Sequence, residues 1–201
     1  MPKKLPAKIA SQLYAAAELI ADRGLDGARM EEIAEVTGIP KATLYYHLEG
    51  KNAVLEVLLI DFLELIGGAV GVTMAEPANA LERLGAAITA QISVMLEHPH
   101  LCRAPVGDLG LATRLPDLAV AIDAAFLTPI EQLLVQGVED GSLRRVEDPS
   151  RVAACIFGAV TVAGLSAVAG DRPHDSSDAA TLSSSIYRLL VLGVAADPIT
   201  G

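Results

Sequence analysis

Apolar residues recur every three or four positions along this chain and hardly ever every second one, so the pattern predicts helices throughout and no sheet. The first stripe is Ile9, Leu13, Ala16, Ala17 and Ile20, on a helix expected from near Pro6 and closed by Arg23 and Gly24. In Met30–Val36 the apolar Ile33, Ala34 and Val36 face one way and Glu31, Glu32 and Glu35 the other, and Gly38 breaks the helix. Pro40 suits the first position of a further short helix, where its missing N–H costs nothing. That helix is expected to reach about Leu48. Leu44 and Leu48 share its inner face, Ala42, Thr43, Tyr45 and Tyr46 spread over the outer side, and Lys41 lies on the flank.

From Asn52 the helices lengthen. Leu55, Leu58, Leu59, Phe62, Leu65, Ile66 and Ala69 mark one that ends at Glu76-Pro77, loosened at its far end by Gly67, Gly68 and Gly71. Leu81, Leu84, Ile88, Ile92, Met95 and Leu96 mark the next, stopping at Pro99. Arg103–Arg114 is broken by Pro105, Gly107 and Gly110 and reads as a short or irregular sixth helix. Leu115-Pro116 opens a seventh helix, which Pro129 should kink or divide and Gly141 ends. Asp148 as cap and Pro149 at the first helical position start an eighth, Ser150–Ala169, whose Ala159, Ala163 and Ala167 allow another helix to approach closely. Gly170–Asp178 reads as a loop. A ninth helix, about Ala179–Ala195, carries Leu182, Ile186, Leu189, Leu190 and Gly193 and is followed by Asp197-Pro198.

Charge divides the chain more sharply than hydropathy does. Of 201 residues, the first 52 hold seven of the 15 basic and seven of the 25 acidic groups, so the remaining eight and eighteen carry the whole net charge of −10. Only the N-terminal part is free of the excess acidity that would repel a nucleic acid. Lys3, Lys4 and Lys8 form a basic arm that either touches phosphate or a minor groove or is a solvated tail. Cys102 and Cys155 make no disulfide framework, which points to a reduced cytoplasmic protein. The N-terminus does not read as a signal peptide, because Ser11, Gln12 and Glu18 interrupt it. Residues 152–170 carry no charge and are long enough to span a membrane, but they are rich in Ala and Gly, closely flanked by charges and alone of their kind. A buried or interface helix, and no membrane partner, is the expectation.

The two short helices and their turn carry the chemistry. Lys41, a long cation at a helix start, can reach guanine acceptors or a phosphate; Ala42 and Thr43 can offer methyls to thymine; Tyr45, Tyr46 and His47 supply donors. Alternatively, Tyr45 or Tyr46 packs on the first helix and His47 caps its own. The stretch GIPKATLYYHLEGK followed by NAVLEVLL resembles the DNA-binding signature of the TetR/AcrR family of transcriptional repressors, with Gly38, Thr43, Leu44, Tyr45, His47 and Lys51 in register. The resemblance covers roughly residues 7–60. It implies that Lys41, Ala42, Thr43 and Tyr46 face base edges while Tyr45, His47 and Lys51 hold phosphates. Two departures stand out: Met30 replaces a phosphate-binding hydroxyl, for which Arg29 can substitute, and Gly50 replaces a capping Ser or Asn. A light phosphate footprint, and so a shallow salt dependence, follows.

The resulting expectation is an all-α protein of about nine helices: a helix-turn-helix domain at 1–51 and a helical ligand-binding and dimerisation domain at 52–201. By the resemblance, the protein is a repressor released from a near-palindromic operator by a small molecule that shifts the helix linking the domains, and it dimerises through helices at about 149–169 and 179–195. Candidates for the ligand pocket are Phe62, Ile66, Gln91, Met95, Ile122, Phe126, Phe157 and Thr161, each of which can equally be ordinary core. Two rivals keep the DNA-binding role: a ligand-independent dimer with a filled core, and a metal-responsive regulator using His98, His100 and Cys102. That trio matches no strong zinc spacing, so no metal or other cofactor is expected, and His98 is expected to cap a helix end. An α-helical enzyme is disfavoured, since no catalytic constellation appears.

Overall fold

The computed structural model describes residues 5–104, 116–169 and 176–194, with side chains at all of these except 116, 176–179 and 190–194. Among the described residues all regular structure is helical. Lys3 and Lys4 of the basic arm, most of the irregular sixth segment, the first residues of the Gly170–Asp178 loop and Asp197-Pro198 lie outside them.

Two compact units divide the chain: Met1–Phe62 with His98–Val120, and Leu63–Glu97 with Ala121–Gly201. In the first, α1 (Ala7–Leu13) and α2 (Ala15–Gly27) meet at Tyr14, whose own backbone is helical, so the expected stripe runs through both and buries Leu13, Ala16, Ala17 and Ile20. Regular helix stops at Gly24, where φ is +70°. Then come α3 (Met30–Thr37) and α4 (Lys41–His47), joined through Gly38 in the left-handed conformation that favours glycine. Two details differ from the pattern. Val36 is exposed and Thr37 buried instead, because the inner line of α3 is Met30, Ile33 and Thr37, and the Thr37 hydroxyl satisfies itself on the Ile33 carbonyl at 2.6 Å. Pro40 caps α4 from outside: its ψ of 135° is extended and its carbonyl accepts from the Thr43 and Leu44 N–H groups. The short α7 (Pro99–Arg103) packs on α2 in this same unit.

The first division between units falls inside a helix, α5 (Lys51–Met74). It is apolar on nearly every side, which is why one stripe describes it poorly: Val54, Leu55, Leu58, Leu59, Phe62, Leu63, Ile66 and Val70 are buried, while Leu65 is not.

In the second unit α6 (Ala80–Glu97) is the central element. It packs against α9 (Thr128–Glu139), α10 (Pro149–Val168) and α11 (Ser176–Val194). Between α8 (Pro116–Ile122) and α9 the chain forms a π-helical turn, Asp123–Leu127. Pro129, in the first turn of α9, explains it: proline lacks the N–H to bond back and crowds the carbonyl four residues earlier, and the wider turn relieves both. The helix is therefore not divided at Pro129: it runs on through a π-turn that precedes the proline. The cap of α10 is as expected, with Asp148 Oδ1 accepting from the Arg151 N–H at 3.1 Å. One close approach onto α10 falls at Gly164, on the buried line Ala153, Ile156, Val160, Gly164 and Val168. Helix α11 begins at Ser176, earlier than expected, since Ser and Asp suit a first turn. By length and composition Asp117–Glu139 joins Pro149–Val168 in being able to cross a membrane, so the latter is not alone of its kind.

Candidate functional site

The outer face of α4 is built by burying the inner one. Leu44 and Leu48 are both buried, which turns Lys41, Ala42, Tyr45 and Tyr46 outward and leaves Thr43 and His47 half-buried. Tyr46 is 74% exposed and Tyr45 51%, so neither ring is spent on packing against the first helix. The Tyr46 and His47 rings meet edge to face at 4.9 Å. His47 stands in the last turn, with Leu48 closing the helix.

The two lysines are already engaged. Lys41 Nζ is ion-paired with Glu31 of α3 and lies 5.7 Å above the Tyr45 ring. Glu31, which donates nothing and accepts from this ammonium, holds the Lys41 charge above its ordinary range, and Lys41 in return lowers the Glu31 carboxyl. Lys51 Nζ donates to the Asp26 carbonyl at 3.0 Å and stands 3.8 Å from its carboxylate, tying the start of α5 to the end of α2. Neither partnership was legible from spacing, because ten and twenty-five residues separate the groups and only the turn geometry brings them together.

Arg29 sits immediately before α3, its N–H donating to Glu32 Oε2 at 3.1 Å. The reciprocal half of a capping box is missing, since a guanidinium has no acceptor to offer the helix start. Glu32 also pairs with Arg23, so α2 and α3 are locked by charge as well as by packing. Gly50 has a structural reason: its φ of +133° is one that side-chain-bearing residues rarely adopt, and a Ser or Asn cap there would strain the turn into α5.

Of the eight candidate pocket residues, five come together inside the second unit. Phe126 and Phe157 stack at 5.4 Å, Gln91 Nε2 donates to Thr161 Oγ1 at 3.1 Å, and the Met95 sulfur stands 4.0 Å from the same amide. Gln91 Oε1 is buried without a partner, an arrangement costing about 1–3 kcal/mol. Ile66 is buried and Ile122 half-buried in that unit. Phe62 belongs to the other unit, its ring 6.4 Å from His98. The surface grooves lie elsewhere: one of 710 Å³ runs between α9 and the 145–149 segment, past Val135, Val138 and Arg145.

The His98, His100 and Cys102 trio is spent on packing. His98 precedes α7 without a side-chain capping bond, contrary to expectation, because Pro99 opens a new helix and the ring turns to Phe62. His100 Nδ1 lies 3.1 Å from the Arg103 guanidinium, which reaches Asp22 of α2 at 3.5 Å. Cys102 is buried, and burial pushes its thiol up to about 12. Among the described residues no three His, Cys, Asp or Glu side chains converge as a metal site.

Residues 13–58 match the family model described as bacterial regulatory proteins, tetR family. The chain is 25% identical over 197 residues to the fatty acid metabolism regulator protein of Bacillus subtilis (strain 168), covering 96% of this chain and 98% of that one. It is 33% identical over 138 residues to the HTH-type transcriptional repressor KstR2 of Mycolicibacterium smegmatis, covering 66% and 65%. Among solved structures it shares its fold with FadR from Bacillus subtilis in complex with stearoyl-CoA, at TM-score 0.76, 23% identity and 91% and 98% coverage. AibR in complex with isovaleryl coenzyme A and operator DNA is similar at TM-score 0.69 and 25% identity, over 90% and 97%. With the outward face of α4, the left-handed turn at Gly38 and the helical second unit, these similarities place the chain in one group: it belongs to the TetR/AcrR family of DNA-binding transcriptional regulators.

Proposed function

We propose that this protein is a homodimeric repressor that leaves its operator when an acyl-coenzyme A binds in the helical domain. The observation that carries the reading is similarity over nearly the whole chain to AibR, whose structure holds an acyl-coenzyme A and operator DNA together. The similarity to FadR with stearoyl-CoA points the same way. Residues 1–51 read DNA and residues 52–201 bind the effector and dimerise. Lys41, Ala42, Thr43 and Tyr46 face bases, and Arg29, Tyr45, His47 and Lys51 face phosphates. The dimer forms through α10 and α11, and two α4 helices one DNA turn apart require a near-palindromic site. Because α5 is one continuous helix from the reading unit into the effector unit, an effector that prefers one setting of α5 couples to DNA affinity, typically by ~1–3 kcal/mol. The protein acts in the cytoplasm and not as an enzyme.

The test is fluorescence anisotropy on the intergenic DNA upstream of its own gene, at several salt concentrations, with and without stearoyl- and isovaleryl-coenzyme A. Specific binding with a slope of roughly 0.9 per phosphate, released by one thioester, is expected. Absence of specific retention defeats the DNA reading, and retention indifferent to both thioesters defeats the effector reading. The packing of Phe126 and Met95, both essentially inaccessible, favours a second reading, a ligand-independent dimer with a filled core. A thermal-shift screen in which no acyl-coenzyme A stabilises the protein selects it.

A further inference from the structure

The interior of the second unit contains a polar pair that is only half satisfied. Gln91 is 1% exposed; its Nε2 donates to Thr161 Oγ1 at 3.1 Å, and its Oε1 has no partner. One turn along α6, Met95 lies across the bare backbone of Gly164. A Cβ at that position would stand 2.4 Å from Met95 Cε and 2.6 Å from its sulfur, so the methionine fills space that only a glycine leaves open. Phe157, Thr161 and Gly164 follow one another on one face of α10, and Phe157 continues the line to Phe126. The result is an apolar row with a single amide and hydroxyl in its middle, covered by the most adaptable of the apolar side chains.

A buried acceptor without a donor in the fold can take one from outside it; for packing alone, a leucine at 91 would serve better. A saturated chain entering this row would leave Oε1 as it is. A hydroxyl on that chain would donate to Oε1, and it would also satisfy the amide were it turned over, since it accepts as well as donates. A ketone can accept only, and so fits the turned amide alone.

Resting on the effector reading above, we infer that Gln91 and Thr161 recognise a hydroxyl group carried on the hydrocarbon part of the effector, and that Met95 leaves its place over Gly164 to admit it. The effector is then a hydroxylated acyl chain in preference to a saturated one.

The test is calorimetric titration of the full-length protein with dodecanoyl-coenzyme A and with isomers hydroxylated near the thioester, at mid-chain and near the terminus. Dodecanol and dodecane are compared by thermal shift as probes without the coenzyme. At least one hydroxylated isomer is expected to bind roughly tenfold tighter than the saturated thioester, the value of one well-made hydrogen bond. Gln91→Leu should abolish that ratio and Thr161→Val reduce it, while Met95→Ala should tighten every chain. Thr161→Val serves if Gln91→Leu does not fold. No preference in the wild type, or one that survives Gln91→Leu, overturns the inference while thioester binding still supports the effector reading. Thioesters that fail to bind, with dodecanol stabilising the wild type but not Gln91→Leu, overturn the coenzyme reading and keep the hydroxyl site. Failure of thioesters and dodecanol alike overturns both.

Discussion

Lys41 in the first turn of α4 is ion-paired with Glu31 in the first turn of α3, so the cation proposed to read bases is neutralised by its own neighbour. Each partner stabilises the ionised form of the other, Glu31 raising the lysine and Lys41 lowering the carboxyl. The pair therefore stays charged across the physiological pH range, and a competing acceptor on DNA rather than a proton must separate it.

Glu31→Gln frees Lys41 and removes a negative charge from the reading face. Operator affinity should rise, most for variants that keep the base Lys41 reads, with the salt slope little changed. Anisotropy titrations across operator variants and salt concentrations decide it; a uniform rise with the slope steeper by about 0.9 would assign Lys41 to a phosphate instead.

Tyr46 and Lys51 should separate sequence reading from positioning. Tyr46, largely exposed on the outer face, predicts that Tyr46→Ala alters preference among operator variants. Lys51→Ala should weaken all sequences about equally and flatten the slope by about 0.9. Because Lys51 also bonds the Asp26 carbonyl, its variant should be checked for Tm; a loss of Tm with no change in slope would assign it to the fold alone.

Val162 on α10 is 66% exposed and Leu189 on α11 is similarly bare, apolar surface on the two helices proposed to pair. Val162→Glu should shift the sedimenting species to monomer and weaken operator binding by roughly thirtyfold, the cost of a central interface residue at about 2 kcal/mol. A variant that remains dimeric with full affinity places the interface elsewhere.

Cys102 makes alkaline stability a readout of the α2–α7 packing. Its thiol is raised by burial from 9.0 to about 12. Above the lower value the unfolded chain has lost this proton while the folded one keeps it, so stability is full below pH 9.0 and falls as pH rises towards 12. The limiting slope is about 1.4 kcal/mol per pH unit. Urea midpoints of wild type and Cys102→Ala should converge with rising pH across that window, and parallel curves would show that the thiol is not desolvated.

The sequence alone determined what local physics controls. Apolar spacing set the helices, Gly38 their turn, Asp148-Pro149 the start of α10, and the burial of Leu44 and Leu48 which side of α4 would face outward, because each depends on neighbours within a turn or two of helix. Charge partition and TLYYHL marked the DNA-binding stretch for the same reason. Tertiary structure decided what depends on residues far apart in sequence. It brought Glu31 onto Lys41 and Asp26 onto Lys51, drew His98, His100 and Cys102 into packing, and put Val36 outside and Thr37 inside. It also made Gly164 the seat of Met95 and left Gln91 with an unpaired oxygen, since a contact between α6 and α10 follows from how two helices pack, and neither helix's periodicity contains it.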